Sequence, residues 1–185
     1  GSLPTTGGGG GDDSGGDGPG GDGLIADDTP CVNEAPTGTN VSEINNLAKQ
    51  AAAKLGALQD SSGWEWGAFI YREADGGLYI SEAFTARHPN DMNGAAITPP
   101  PGSHIVGYLH THPTNDDMDQ RLFSLEDQEF IGDLISGDFG SVTVDQNMLV
   151  YVVTKDSAGG YEYDDYKTYV YDKSERNDND PGCIL

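Results

Sequence analysis

Basic side chains are scarce in this chain: nine lysines and arginines stand against 31 aspartates and glutamates, a formal net charge of −22 over 185 residues. A surface this negative repels phosphate backbones, so nucleic acid is not an expected partner. Long apolar runs are also lacking. None approaches the roughly 20 residues that a membrane-spanning helix needs. The expectation is a soluble domain without a membrane span, and no signal-peptide pattern is present. Cysteine is limited to Cys31 and Cys183. Two thiols with no further ligand spaced nearby do not make a zinc site. They flank the predicted domain, and domain ends often lie close in space, so a Cys31–Cys183 disulfide and two free thiols are both compatible with the pattern. Cys183 is third from the end, which excludes a prenylation box. Several catalytic signatures are missing as well. No glycine-rich loop follows a strand, no serine or cysteine nucleophile motif occurs, and the H-x-E…P-C-x-x-C pattern of zinc deaminases is absent.

Glycine, by contrast, is abundant at one end. Residues 1–23 read GSLPTTGGGGGDDSGGDGPGGDG, with almost nothing apolar to offset chain entropy. A disordered glycine- and aspartate-rich leader is predicted, either native or an engineered linker. Gly1-Ser2 resembles a cloning remnant. Leu3-Pro4-Thr5-Thr6-Gly7 resembles a sortase signal but lacks the apolar stretch and basic tail that follow one. Residues 24–185 are then the domain, about 160 residues and enough for one core.

Within it, 24–39 reads as an extended lead-in. Asn40 followed by Glu43 is a capping signal. Val41, Ile44, Leu47, Ala48, Ala51, Leu55 and Leu58 then recur at helical spacing. Trp64–Tyr71 and Gly77–Glu82 read as a hairpin across the Asp75-Gly76-Gly77 turn. Residues 84–103, rich in proline, asparagine and glycine, read as a long loop. His104–Leu109 is a buried-type strand, Thr114–Gln120 a polar loop, and Ser124 the start of a second helix. Met148–Thr154 and Tyr161–Tyr171 are two further strands. The predicted fold class is α/β, a mixed sheet flanked by helices.

One set of residues carries chemistry. His110 and His112 are two apart on a strand that Pro113 ends, so both imidazoles face the same side and can converge on one ion. Asp127 lies three residues after Ser124 at a helix start. That spacing suits an N-cap with an acid near the positive helix end, and it also suits a rotamer-restricted metal ligand. Zinc takes such nitrogen and oxygen donors, with three protein ligands in catalytic sites. Glu65 sits among Trp64, Trp66, Ala68, Phe69 and Ile70, where desolvation would raise a carboxylate toward the range of a general base. An exposed edge glutamate would fit the same pattern. His88 and His104 read as solvent or packing residues, His104 lying about 20 Å up the strand from His110. Asp116, Asp117 and Asp119 are only a fragment of a calcium loop.

In order, Glu65-x-Gly67, His110-Thr111-His112-Pro113 and Phe123-Ser124-x-x-Asp127 resemble the JAMM/JAB metallopeptidase family over roughly residues 40–172. The interval between His112 and Ser124 is longer than is usual there. The resemblance implies a JAB-like domain that binds one Zn2+ per chain through His110, His112 and Asp127. It implies Glu65 as general base and Ser124 as oxyanion donor, acting on a peptide or isopeptide bond of a protein or peptide substrate. The segments WEWGAFIY, DGGLYISE, PPGSHIVGYLHTHP and FSLED look most like an uncharacterised JAB-like domain found at the C-termini of RHS-repeat and other polymorphic toxins. That likeness implies a bacterial effector, secreted or delivered into a target cell, with a cognate immunity protein as a partner. The alternative is a JAB-like protein-binding module that has lost catalysis.

Overall fold

The computed structural model describes residues 33–90, 92, 98–114, 119–157, 161–171 and 181–185. The expected leader, Cys31, Asp116 and Asp117 lie outside the described residues. Eight elements follow in order: α1 (Val41–Ser62), β1 (Gly67–Arg72), β2 (Leu78–Ile80), β3 (His104–Thr111), α2 (Leu125–Ser136), β4 (Thr143–Asp156), β5 (Glu162–Val170) and β6 (Cys183–Ile184).

The first helix starts where its cap is. The Asn40 side chain accepts a hydrogen bond from Ser42 N at 2.8 Å, satisfying one of the helix's free N–H groups. The anticipated glutamate partner at 43 takes no part in a reciprocal box, because the carboxamide serves the second helical residue. At the other end Gly63 turns left-handed, with φ 70, and its N–H returns to Gln59 O. A glycine adopts that conformation without steric cost.

The strands form one six-stranded mixed sheet in the order β2-β1-β3-β4-β5-β6. Only β3 and β4 run parallel; every other neighbouring pair is antiparallel. A parallel pair needs a crossover, and α2 supplies it. The two helices occupy opposite faces. On one, Ile44, Ala48 and Leu55 of α1 pack with Ala68, Ile70, Val106, Leu109, Tyr151 and Val153. Burying each of the larger aliphatic side chains is worth about 1.5–3 kcal/mol. On the other, Leu134 of α2 packs with Phe69, Phe123, Tyr108, Met148, Val150 and Val152. Gly56 lets α1 approach the sheet closely, since a Cβ there would collide with the Tyr166 ring.

Several boundaries depart from the sequence reading. The first strand begins at Gly67 rather than Trp64, and the backbone of Glu65 bonds to the segment after β2. Glu65 N donates to His88 O at 2.9 Å, and Thr85 Oγ1 donates to Glu65 O at 2.6 Å. The predicted loop from 84 therefore carries part of the architecture, with Phe84 bridging Gly67. The second strand is shorter than predicted. The fourth starts earlier, at Thr143, where Thr143 and Val144 pair with His104 and Ile105. The two-residue β6 went unanticipated; it pairs with Tyr169 and Val170. Cys183 in it is disulfide-bonded. No helix among the described residues is long and apolar enough to cross a membrane.

Candidate metal centre

The parallel β3–α2–β4 unit determines where the site lies. In open α/β sheets, ligand sites gather beyond the carboxyl ends of strands. Here β3 ends at Thr111 and α2 begins at Leu125, so the end of one meets the start of the other. His110 is wholly buried and His112 nearly so.

Asp127 comes from the first turn of α2. Its N–H donates to Ser124 Oγ at 3.1 Å, and its Oδ2 accepts Ser124 N–H at 2.7 Å. This reciprocal capping box holds the carboxylate rigidly at the positive helix end. Asp127 Oδ1 lies 2.9 Å from His110 Nε2, and Oδ2 lies 3.1 Å from His112 Nε2. The two Nε2 atoms are 2.9 Å apart. The carboxylate that closes the capping box is thus the same one that lies against both imidazoles.

Each imidazole is oriented differently. His112 Nδ1 is 2.8 Å from the Gln120 carbonyl; Nδ1–H donates there, which turns Nε2 toward Asp127 and His110. Its backbone is pinned as well. His112 N donates to Val153 O at 2.9 Å, and Gln59 Nε2 of α1 donates to His112 O at 2.9 Å. His110 lacks such a tether, since its buried Nδ1 has no hydrogen-bond partner among the described residues. Stacking holds the ring instead: Tyr108 lies parallel to it, 5.2 Å between centroids. Directly across the sheet from His110 is Gly67. Phe84 and Met92 fill the space a side chain at 67 would occupy.

Glu65 is 5% exposed. Thr111 N donates to Trp66 O, continuing the Gly67–His110 register outward. One further step brings Glu65 level with His112, on the same side of the sheet. Its charge reaches that side, since the Glu65 carboxylate contributes to raising both His112 and Tyr108. His110, His112 and Asp127 therefore come together, Ser124 caps the turn that carries Asp127, and Glu65 is buried with its charge acting on His112. His88 and His104 do not join this group: His104 Nδ1 meets Thr143 Oγ1 at 2.6 Å, and His88 Nδ1 accepts Asn90 N–H. Asp119 is engaged by the Arg121 guanidinium.

Without an ion, His112 and Asp127 stabilise each other's charged forms. Burial lowers the His112 imidazole, but the Asp127 carboxylate beside it outweighs this and pushes it up to about 9. Burial raises the Asp127 carboxyl, and the two imidazoles overcome this, holding it well below the usual carboxylate range. The sign of the stability effect follows. His112 contributes fully below its ordinary 6.5, and the contribution is lost as pH rises through about 9. Asp127 contributes above its ordinary 3.8, and its part is lost on acidification. Chelator-treated protein should therefore unfold at lower denaturant at about pH 9 than at about pH 6. Equal midpoints at the two pH values, measured by tryptophan fluorescence, would contradict this pairing.

The donor set fits a metal ion. One ligand atom from each of His110, His112 and Asp127 lies within 4.8 Å of the others, and all three residues are buried. Donors about 2.0–2.1 Å from a tetrahedral zinc stand about 3.3 Å apart, so the observed spacings need to open by only a few tenths of an ångström.

Sequence reasoning missed Gln59, Gln120 and Asp156. Asp156 Oδ2 accepts Gln120 N–H at 2.8 Å. One signal was available for it: Val150 and Val152 face the site, and counting on by twos reaches Thr154 and Asp156, both wholly buried. The polar contacts of Gln59 and Gln120 left no mark in the sequence.

Fold and site together define an α/β domain with a buried two-histidine, one-carboxylate group that can hold a metal ion. Neither a protein-family model, nor a curated protein, nor a solved structure matches the chain.

Proposed function

We propose that the domain is a zinc-dependent hydrolase of peptide or isopeptide bonds, of the JAMM/JAB type. The observation that carries this reading is the convergence of His110, His112 and Asp127 on one point, supported by the burial of Glu65, whose charge acts on His112. Two imidazoles and a carboxylate suit zinc, and three protein ligands leave a fourth position open.

His110, His112 and Asp127 would hold the ion. Zinc, when bound, supplies Lewis acidity toward a carbonyl and toward a water. Glu65 takes the proton of the attacking water and hands it to the leaving amine. Ser124 Oγ accepts the Asp127 N–H, which leaves its own proton free to donate to the carbonyl oxygen as negative charge develops there. Buried surroundings strengthen each of these interactions.

The likeness to JAB-like domains of bacterial toxins extends the proposal to an effector role, with delivery into a target cell and an immunity protein as partner. Purified protein should carry about one zinc per chain. It should cleave peptide or isopeptide substrates, lose activity to a chelator, and regain it with zinc. Elemental analysis finding no zinc after reconstitution would end the metal reading. Stoichiometric zinc without cleavage would support a binding module instead.

A further inference from the structure

Asp156 is an acid in an unusual place. It closes β4 with no exposed surface at all. Its Oδ2 accepts one hydrogen bond, from Gln120 N–H at 2.8 Å, and its Oδ1 has no hydrogen-bond partner among the described residues. A buried carboxylate with so few partners costs stability that an apolar residue would not. What it achieves structurally is anchorage of Gln120, which lies in the segment joining β3 to α2. Gln120 is held at both of its backbone polar atoms: its N–H goes to Asp156, and its carbonyl accepts the His112 Nδ1–H at 2.8 Å. If the first contact is lost, residue 120 can turn and its carbonyl leaves the imidazole.

We propose that Asp156 is a positioning residue for the metal centre, aiming the Gln120 carbonyl that holds His112 with Nε2 toward the ion. This rests on the metal reading above. Asp156 touches no ligand itself; it acts through one residue of backbone. The same segment separates His112 from Ser124, and Asp156 ties its residue 120 to the end of β4.

The test uses the full chain and compares Asp156→Leu with Asp156→Asn. Zinc affinity is measured by competition with a chromophoric chelator, and ligand geometry by the visible absorption of the cobalt(II) form. Denaturation of the metal-free proteins serves as the fold control. Asp156→Leu should bind zinc about 10- to 100-fold more weakly, the usual cost of losing an outer-shell partner, with an altered cobalt spectrum. Asp156→Asn keeps an oxygen able to accept the Gln120 N–H and should restore most of the affinity. If Asp156→Leu does not fold, Gln120→Pro carries the test. It deletes the N–H that Asp156 accepts and leaves the carbonyl that His112 uses, and a similar loss is expected. Wild-type zinc affinity and cobalt spectrum in a folded Asp156→Leu or Gln120→Pro variant would overturn the proposal while leaving the metal site standing. An Asp156→Asn variant as damaged as Asp156→Leu would also overturn the hydrogen-bond route. A wild-type chain that takes up neither zinc nor cobalt would bring down both readings together.

Discussion

Replacing Glu65 by glutamine should lower the hydrolysis rate by roughly two to four orders of magnitude, the usual worth of a positioned acid–base group. Zinc content and melting temperature should remain close to wild type. The carboxylate lies outside the three-residue donor group, and glutamine is nearly its isostere. The backbone contacts of residue 65, to His88 and Thr85, are left intact by a side-chain exchange. In a toxin setting the same variant should relieve growth inhibition while accumulating as folded protein. Zinc content, melting and cleavage measured on one preparation decide the matter. Full activity would remove Glu65 from the mechanism, and lost zinc would make it a ligand.

Asp127→Ala should behave in the opposite way, losing metal and activity together. Three structural roles end at once. The ion loses its only carboxylate donor within the group. Ser124 N–H loses the acceptor that closed the capping box, a change that ordinarily costs about 1 kcal/mol. His110 and His112 lose the counter-charge that lies about 3 Å from each, so His112 should fall back from its raised value. Elemental analysis should find zinc dropping from about one per chain to a small fraction, with a lower unfolding midpoint in the metal-free protein as well. Asp127→Asn separates the roles: it can still cap the helix but offers a weaker donor to the ion. Zinc retained at full occupancy in Asp127→Ala would remove this residue from the ligand set and with it the proposed site.

The contrast between these variants depends on geometry the chain encodes at two different ranges. His110-x-His112 is legible because a strand repeats every two residues, so the pair shares a face whatever surrounds it. Ser124-x-x-Asp127 is legible because a helix start leaves N–H groups that such side chains satisfy. The helical stripe from Val41 to Leu58 and the apolar strand from Met148 were legible for the same kind of reason. Glu65 was placed on a strand from its apolar neighbours, and that was only partly right. Its backbone belongs to a junction tied to the 84–88 segment, and no local pattern encodes that tie.

What the sequence determined by itself, then, was everything set by short-range periodicity: the α/β class, the main helices and strands, two histidines on one strand face, and a carboxylate in a first helical turn. The tertiary structure alone decided that β3 and β4 lie parallel across α2, which sets the end of one element against the start of another. It alone decided that Gln59, Gln120 and Asp156 converge on His112, directly or through one residue. The physical reason is that these contacts join segments far apart in the chain. Their geometry comes from sheet register and helix docking, which depend on the packing of the whole core rather than on the residues that make the contact.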